Sequence, residues 1–306
     1  MSDLDLRDLE AFVAVARTRN FRRAAQESRV SVSGLSQRLR DMEERLGVRL
    51  VNRTTRSVAL TEAGEMLLAR VAPAMSDVNA ALDEVRGLRG VASGRLRINA
   101  PPPAVDLVLA PMLAPFLQAF PQIELEIVGQ SGCIDIVEAG HDAGVRYGEH
   151  LERDMIAISL GPPQRYALLA SPGYLARHGK PKHPRELLDH ACIRVRFSSG
   201  AMLDWEFEKA GRVVKISPPA KLVVNHPAPA MRAACDGVGF WLTFRDQASE
   251  AIVSGELISV LDDWCAPFPG PFLYYPSRRQ LPPALAAFIA FVGEWRKQER
   301  KKEREK

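Results

Sequence analysis

Residues 18–61 carry, in order, a segment with paired alanines, a tight turn, a serine-led amphipathic segment and an Arg-studded, β-prone stretch, and few folds accept that order. In Phe21-Arg-Arg-Ala-Ala-Gln-Glu, the small side chains of Ala24 and Ala25 let two helices cross closely and steeply. Val30 is expected to pack inward from the turn that follows. Ser31 stands where a helix would begin, its hydroxyl able to accept from the free N–H groups of the first turn. Leu35, Leu39, Met42 and Leu46 then recur at helical spacing as a buried stripe, which leaves Ser33, Gly34, Ser36, Gln37, Arg38, Arg40 and Asp41 elsewhere on the helix. Gly47 closes the helix, and residues 48–60 alternate enough for a small hairpin with Arg53, Thr54, Thr55 and Arg56 near its tip. The pattern predicts a winged helix-turn-helix whose serine-led helix enters a DNA major groove.

Charge points the same way. Arg17, Arg19, Arg22, Arg23, Arg29, Arg38, Arg40, Arg45, Arg49, Arg53 and Arg56 face only Glu27, Asp41, Glu43 and Glu44 in this window. The planar guanidinium pairs bidentately with phosphates, which supply most sequence-independent affinity. A run of arginines alone describes an ordinary solvated face; joined to the alanine pair, the cap and the wing, it marks a nucleic-acid surface. Over all 306 residues the net charge is only +4, so the basic face is local rather than general.

A chain of this length with 46% hydrophobic residues has material for at least two packed cores. No apolar run approaches a membrane span, and the opening Met-Ser-Asp-Leu-Asp-Leu-Arg does not resemble a secretory signal, so a cytoplasmic protein without a membrane partner is expected. Cys133, Cys192, Cys235 and Cys265 are widely spaced, with no Cys-x-x-Cys pair and no matching His cluster. Reduced thiols are the plain reading, a redox-sensing pair the alternative.

Leu6, Leu9, Val13 and Ala16, with Asp5 as cap, predict a first helix that braces the helix-turn-helix. After the wing, Thr61 caps a longer helix in which Leu68, Val71, Met75, Val78, Leu82 and Val85 follow alternating steps of three and four, the spacing of a coiled-coil seam. Core packing within one chain would use the same stripe; its regularity favours pairing with the same helix of a second copy. Pro73 bends this helix. Gly87, Gly90, Ser93 and Gly94 then form a connector.

Beyond it, strand and helix signals alternate. Residues 95–100, 123–128, 143–146, 156–160, 166–170, 193–197, 221–225, 240–243, 257–261 and 272–275 read as strands, and a helix follows Pro101-Pro-Pro through Leu117. The alternation predicts an α/β domain with largely parallel sheets, as one large sheet or two lobes around a cleft. The charged tail from Glu294 reads as a fraying helix end or a disordered tail.

The segments Leu6-Arg-Asp-Leu-Glu-Ala-Phe, Phe21-Arg-Arg-Ala-Ala, Val30-Ser-Val-Ser-Gly-Leu-Ser, Leu39-Arg-Asp-Met-Glu-Glu-Arg-Leu-Gly-Val-Arg-Leu and Asn52-Arg-Thr-Thr-Arg-Ser-Val-Ala-Leu-Thr-Glu-Ala-Gly together resemble the LysR-type transcriptional regulators. Ser93-Gly-Arg-Leu-Arg-Ile-Asn-Ala-Pro, Ala170-Ser-Pro-Gly-Tyr-Leu and Phe272-Leu-Tyr-Tyr-Pro-Ser-Arg-Arg are similar to that family's effector domain. The resemblance implies an α/β fold class in three parts: a winged helix-turn-helix at 1–60, a linker and dimerisation helix at 61–90, and an effector domain of the periplasmic-binding-protein type at 91–306. Lobe one would hold about 94–163 and 271–295, lobe two about 164–270. It further implies double-stranded promoter DNA and a small-molecule effector as partners, a homodimer through the linker helix assembling to a homotetramer, and RNA polymerase as a further candidate partner. Where members often carry Gln or Pro, then Ser, then Ala, this chain has Val32, Ser33 and Gly34.

Ser33, Gln37 and Arg38 are the candidates to reach base edges or adjacent phosphates, with Ser36 on the same helix. Val32 offers only an apolar contact, for instance with a thymine methyl. Ser31, Arg53, Thr54 and Arg56 are expected to clamp the DNA backbone. Ligands of open α/β sheets bind beyond the carboxyl ends of strands. That rule selects Pro102, Pro103 and Ala104, then Ser131 and Gly132, then Arg146 from lobe one, and Phe197, Ser198, Asn225 and His226 from lobe two, with Phe268 and Pro269 near the crossover. His226 before Pro227 would equally well cap a helix, and Arg146 would equally well be a structural ion-pair partner. No nucleophile elbow, phosphate loop, dinucleotide fingerprint or metal-ligand cluster occurs, so no catalytic residue, metal or cofactor is expected. An enzyme and an architectural DNA binder are the competing readings.

Overall fold

The computed structural model describes residues 5–53, 58–87, 92–130, 136, 139–148, 155–197, 200–276 and 281–304, without the side chains of 76–77, 79–87 and 302–304. Helix α1 (Leu6–Thr18) starts in a capping box, with the Asp5 carboxylate and the Asp8 side chain accepting each other's backbone N–H. Helix α2 (Phe21–Glu27) is capped by Asn20, whose side chain accepts from Arg22 and Arg23 N–H. Ser31 accepts the Gly34 N–H at 3.0 Å and so opens α3 (Val32–Leu46), which Gly47 closes at φ +68°. Phe12, Val15, Ala24, Ala25, Leu35, Leu39 and Met42 form the core of these three helices. Val30 does not join it: the residue is 47% exposed. Arg29, at φ +54°, reverses the chain in the left-handed region and turns Val30 outward, while Leu35 is buried in one core with Ala24 and Ala25.

Strands β1 (Val51–Arg53) and β2 (Val58–Leu60) pair antiparallel as the wing. Thr61 ties the wing to α4 (Glu62–Gly87), its hydroxyl donating to Arg49 O and accepting from Gly64 N–H. Gly64 is required there, since a Cβ would lie 2.1 Å from the Leu50 carbonyl oxygen. The proposed seam divides along α4. Leu68 is buried in the winged domain's own core, Val71 and Met75 are half-buried, and Val78 is exposed; the side chains of Leu82 and Val85 lie outside the described set.

The remaining strands form two five-stranded sheets and a hairpin. Strand β3 (Gly94–Ala100) leads into α5 (Pro102–Ala104), a π-helical turn (Val105–Leu109) and α6 (Ala110–Ala119). By length and composition residues 102–119 are apolar enough to cross a membrane, yet Val108, Leu109, Met112 and Phe116 are buried against the first sheet. Next come β4 (Ile123–Gly129), β5 (Ala143–Arg146), β6 (Met155–Ser159), β7 (Tyr166–Ala170), α7 (Pro172–His178) and β8 (Cys192–Val195). The chain continues through β9 (Trp205–Lys209), β10 (Arg212–Ile216), β11 (Ala220–Val224), α8 (Pro227–Cys235), β12 (Phe240–Phe244), α9 (Ser249–Val253), β13 (Ile258–Val260), β14 (Phe272–Pro276) and α10 (Pro283–Arg304).

Lobe one has the strand order β4-β3-β5-β14-β6 and lobe two β11-β8-β12-β7-β13. The sheets are mixed, not largely parallel. In each, two strand pairs run parallel and two antiparallel, because the chain crosses between lobes and each strand that follows a crossing, β7 and β14, enters its sheet reversed. The antiparallel hairpin β9–β10 is absent from the sequence expectation. Its turn uses Ala210 and Gly211, both at positive φ, and buries Trp205, Phe207, Val214 and Ile216 in lobe two. Of the two readings of the tail, the helix end holds: α10 runs to Arg304, anchored by Phe288 and Val292 in the core of lobe one.

The two crossings lie side by side. Gln164 and Phe268 exchange backbone hydrogen bonds at 2.9 and 2.8 Å, and Leu160 N–H donates to Pro271 O at 2.8 Å. Gly270 permits this approach, since a Cβ there would lie 2.0 Å from Pro162 O.

Candidate nucleic-acid interface and interlobe cleft

With Leu35, Leu39 and Met42 turned inward, the helical period puts Ser33, Gln37 and Arg40 on the opposite face of α3. All three are exposed, as are Ser31 and Val32 at the helix start. Gln37 Nε2 donates to Asp41 Oδ1 at 2.7 Å, which orients the amide along the helix. Arg40 is absent from the sequence candidates, although its spacing from Ser33 and Gln37 places it on their face. Elsewhere in the domain Arg22, Arg29 and Arg49 are also exposed.

Three of the candidates are used inside the domain. Arg38 leans towards α1, 3.8 Å from the buried Asp8 carboxylate, which Arg45 also approaches at 3.1 Å. Ser36 is half-buried and accepts from Arg53 Nη1 at 2.9 Å. Arg53 also pairs with Glu43 Oε2 at 3.2 Å and lies over the Phe21 ring at 4.8 Å, so its fork holds the wing against α3. Glu43, which the sequence did not single out, accepts from Leu50 and Val51 N–H at 2.9 and 3.0 Å with its other oxygen. One carboxylate thereby fixes where the wing begins. Thr54 and Arg56 lie outside the described residues.

In lobe one, Pro102, Pro103 and Ala104 begin the helix after β3, and the Ala104 side chain is buried in the core. Arg146, at the end of β5, is buried; Nη2 donates to Asn99 Oδ1 at 3.0 Å and Nη1 to Val145 O at 2.7 Å, with the Tyr274 ring 5.7 Å away. In lobe two Phe197 is half-buried and donates its N–H to Ala201 O. Asn225 and His226 are exposed, and His226 caps α8, its Nδ1 accepting from Ala228 N–H at 3.2 Å. Ser131, Gly132 and Ser198 lie outside the described residues.

Phe268 is the candidate around which other groups gather. Its ring centroid stands 5.0 Å from Tyr166, 5.9 Å from Phe244 and 6.3 Å from Tyr147, with Pro269 exposed beside it. Tyr147 comes from lobe one, Tyr166 and Phe244 from lobe two, so the rings span the lobes beside the crossings. Burial raises the phenol pKa of both Tyr147 and Tyr166. Among the described residues the Tyr147 hydroxyl and Gln164 Oε1 are buried without a hydrogen-bond partner. Sequence reasoning missed Tyr147, Tyr166, Phe244 and Gln164, because strand-end rules select loops and not the rings that close over them.

Cys192, Cys235 and Cys265 are free thiols. Burial pushes the thiol of Cys192 up to about 12 and that of Cys265 up to about 11, and also raises Cys235, so these groups stay protonated at neutral pH. Cys133 lies outside the described residues. No metal-ligating cluster occurs among the described residues.

Residues 6–65 match the family model described as bacterial regulatory helix-turn-helix protein, lysR family, and residues 89–297 match the LysR substrate binding domain. The HTH-type transcriptional regulator PgrR of Escherichia coli is 39% identical over 93% of this chain and 96% of its own length. The uncharacterised HTH-type transcriptional regulator YcaN of the same organism is 37% identical over 94% and 95%. Among solved structures, full-length AphB, a virulence activator of Vibrio cholerae and member of the LTTR family, superposes with a TM-score of 0.65 at 28% identity, covering 94% of this chain and 98% of that one.

Proposed function

Because the chain belongs to the LysR family of bacterial transcriptional regulators, we propose that it grips a partly symmetric promoter site as a homo-oligomer, under control of a small molecule held between the lobes. The relatives are regulators and not enzymes, and a regulator of bacterial promoters acts in the cytoplasm, which supports that location for this chain. The observation that carries the reading is the outer face of α3, where Ser33, Gln37 and Arg40 stand exposed beside a wing locked by Arg53 and Glu43. Ser33 and Gln37 read base edges; Arg40 and the wing tip, with Thr54 and Arg56, hold phosphates. Ser31 and Val32 border the same groove at the start of the helix. Arg53, Ser36 and Arg38 position the reader from within.

Exposed Val78 and the half-buried Val71 and Met75 give α4 an apolar flank for a second copy, and pairing of dimers makes a tetramer that engages RNA polymerase. In the cleft the rings of Tyr147, Tyr166, Phe244 and Phe268 favour an effector with an aromatic or aliphatic body, for which the Tyr147 hydroxyl and Gln164 Oε1 supply hydrogen bonds. The ends of β3, β5, β8 and β11, with Pro102, Arg146, Phe197 and Asn225, border it. Two measurements test this. Selection from random duplex DNA by the full-length protein is expected to enrich two related half-sites, and failure to enrich any sequence contradicts the DNA reading. Thermal shifts with small aromatic carboxylates are expected to raise Tm for a subset; no shift across the panel contradicts the effector class, leaving the DNA reading intact.

A further inference from the structure

The DNA-binding domain and lobe one meet at a place distinct from the linker helix. Arg17, in the last turn of α1, has a side chain only 25% exposed and is paired with Glu27 of α2. It lies over Gly140: a Cβ built on that glycine would stand 3.9 Å from Arg17 Cδ and 3.4 Å from Arg97 Nη1. Arg97 of β3 holds this turn in place. Its Nη1 donates to Gly140 O at 2.8 Å, its Nε to Glu126 Oε2 at 2.8 Å, and its backbone N–H to the Asp142 carboxylate at 2.8 Å. Arg95 reaches the same Glu126 at 2.5 Å. Helix α10 packs against both α4 and β3, so lobe one holds the linker while its 139–141 turn meets α1.

We propose that the 139–141 turn of lobe one is a docking surface for the chain's own DNA-binding domain, on which the Arg17–Glu27 corner of α1 and α2 sits above the Arg97–Glu126 pair. Two properties make the contact reversible. Arg17 faces Arg97 and Arg95, and the carboxylates of Glu27 and Glu126 offset that repulsion. The contact is also small, since Gly140, in the left-handed region at φ +69°, presents no side chain to Arg17. A movement of sheet one therefore reaches α1, and through the Asp8 pairs with Arg38 and Arg45 reaches α3, without passing along α4. His141 lies inside the seam. Burial, then the neighbouring Arg97, holds its pKa down to about 4, Glu126 opposes this, and Arg17 and Arg146 lower it further.

The test uses the full-length protein and needs neither DNA nor effector, so its failure is separable from failure of the regulatory reading. The double variant Arg17→Cys with Ala139→Cys, which leaves Gly140 in place, is treated with a short bismaleimide and is expected to give a fast-migrating intrachain species that neither single variant nor the parent chain gives. Its absence, or cross-linking between chains only, overturns the proposal. In a second measurement, made on protein carrying isotope-labelled histidine, the His141 resonance is followed against pH. Burial and Arg97 outweigh Arg17 as causes, so Arg17→Ala is expected to raise the midpoint only modestly above about 4, and parting of the two domains, which exposes the ring, to raise it further. A His141 midpoint at the ordinary imidazole value in the parent chain means that the seam is open in solution and overturns the assignment.

Discussion

The DNA-binding domain and the interlobe cleft organise their polar groups in different ways. In the first, charged and hydroxyl side chains serve caps and short ties within one small unit: Asp5 with Asp8, Ser31 with Gly34, Arg53 with Ser36 and Glu43. In the second, Tyr147, Tyr166, Phe244 and Phe268 arrive from elements far apart in sequence, and two of their polar neighbours stay without partners among the described residues. A reader of DNA must hold its shape before it meets its target, and so satisfies its own groups. A cleft that responds to a small molecule keeps polar groups for a ligand to satisfy.

The largest expected effect would break the cleft. Phe244 is 8% exposed and touches the other three rings, so Phe244→Ala should destabilise the effector domain by about 3 kcal/mol. Tryptophan fluorescence reads this selectively, because Trp205, Trp241, Trp264 and Trp295 all belong to that domain. A smaller effect is expected in the other region. Glu43→Ala removes an acceptor from Leu50 and Val51 N–H and should destabilise the wing by about 2 kcal/mol, discounted for partial exposure. Hydrogen exchange at those amides should quicken while the tryptophan transition stays put; a shift of both would deny that the two regions are separately stabilised.

pH sharpens the contrast further. The phenols of Tyr147 and Tyr166 titrate above their unfolded value of 10.0. The unfolded chain therefore ionises first as pH rises. The stabilisation is fully present below pH 10 and is lost above it. Tyr147→Phe should flatten the fall of the tryptophan-monitored Tm between pH 9 and 11, scanned as about two units around the ordinary phenol value. The smallest of these effects concerns phosphate contact: Arg40→Ala should weaken DNA binding on all sequences and lower the salt slope by about 1, with no change in stability.

How far each region can be read from sequence follows from the same contrast. Asp5, Ser31, Gly47 and Thr61 announce helix ends through groups within a few positions of each other, so the winged domain is legible to its caps. Val30 misleads because an apolar residue beside a turn is turned outward by Arg29 at positive φ. Glu43 is silent for a different reason: its partners are backbone N–H groups of the next element, and no residue type marks them. In the effector domain strand positions are legible from apolar runs, whereas strand direction is not, since β14 returns to lobe one from far along the chain. Hairpin β9–β10 alternates plainly, but its Ala210-Gly211 turn lacks the usual Asn-Gly or Asp-Gly signal. His226 and Arg146 sit at strand ends as the cleft rule requires, yet one caps α8 and the other is held by Asn99.

The central claim is that the outer face of α3 reads bases while Arg53 works from inside the domain. Binding-site selection with wild type, Gln37→Ala and Arg53→Ala, each followed by a salt titration, tests it directly. The account predicts that Gln37→Ala changes the preferred bases within each half-site, whereas Arg53→Ala weakens every site about equally and leaves the preferred bases unchanged. An unaltered base preference in Gln37→Ala, or an altered one in Arg53→Ala alone, would contradict it.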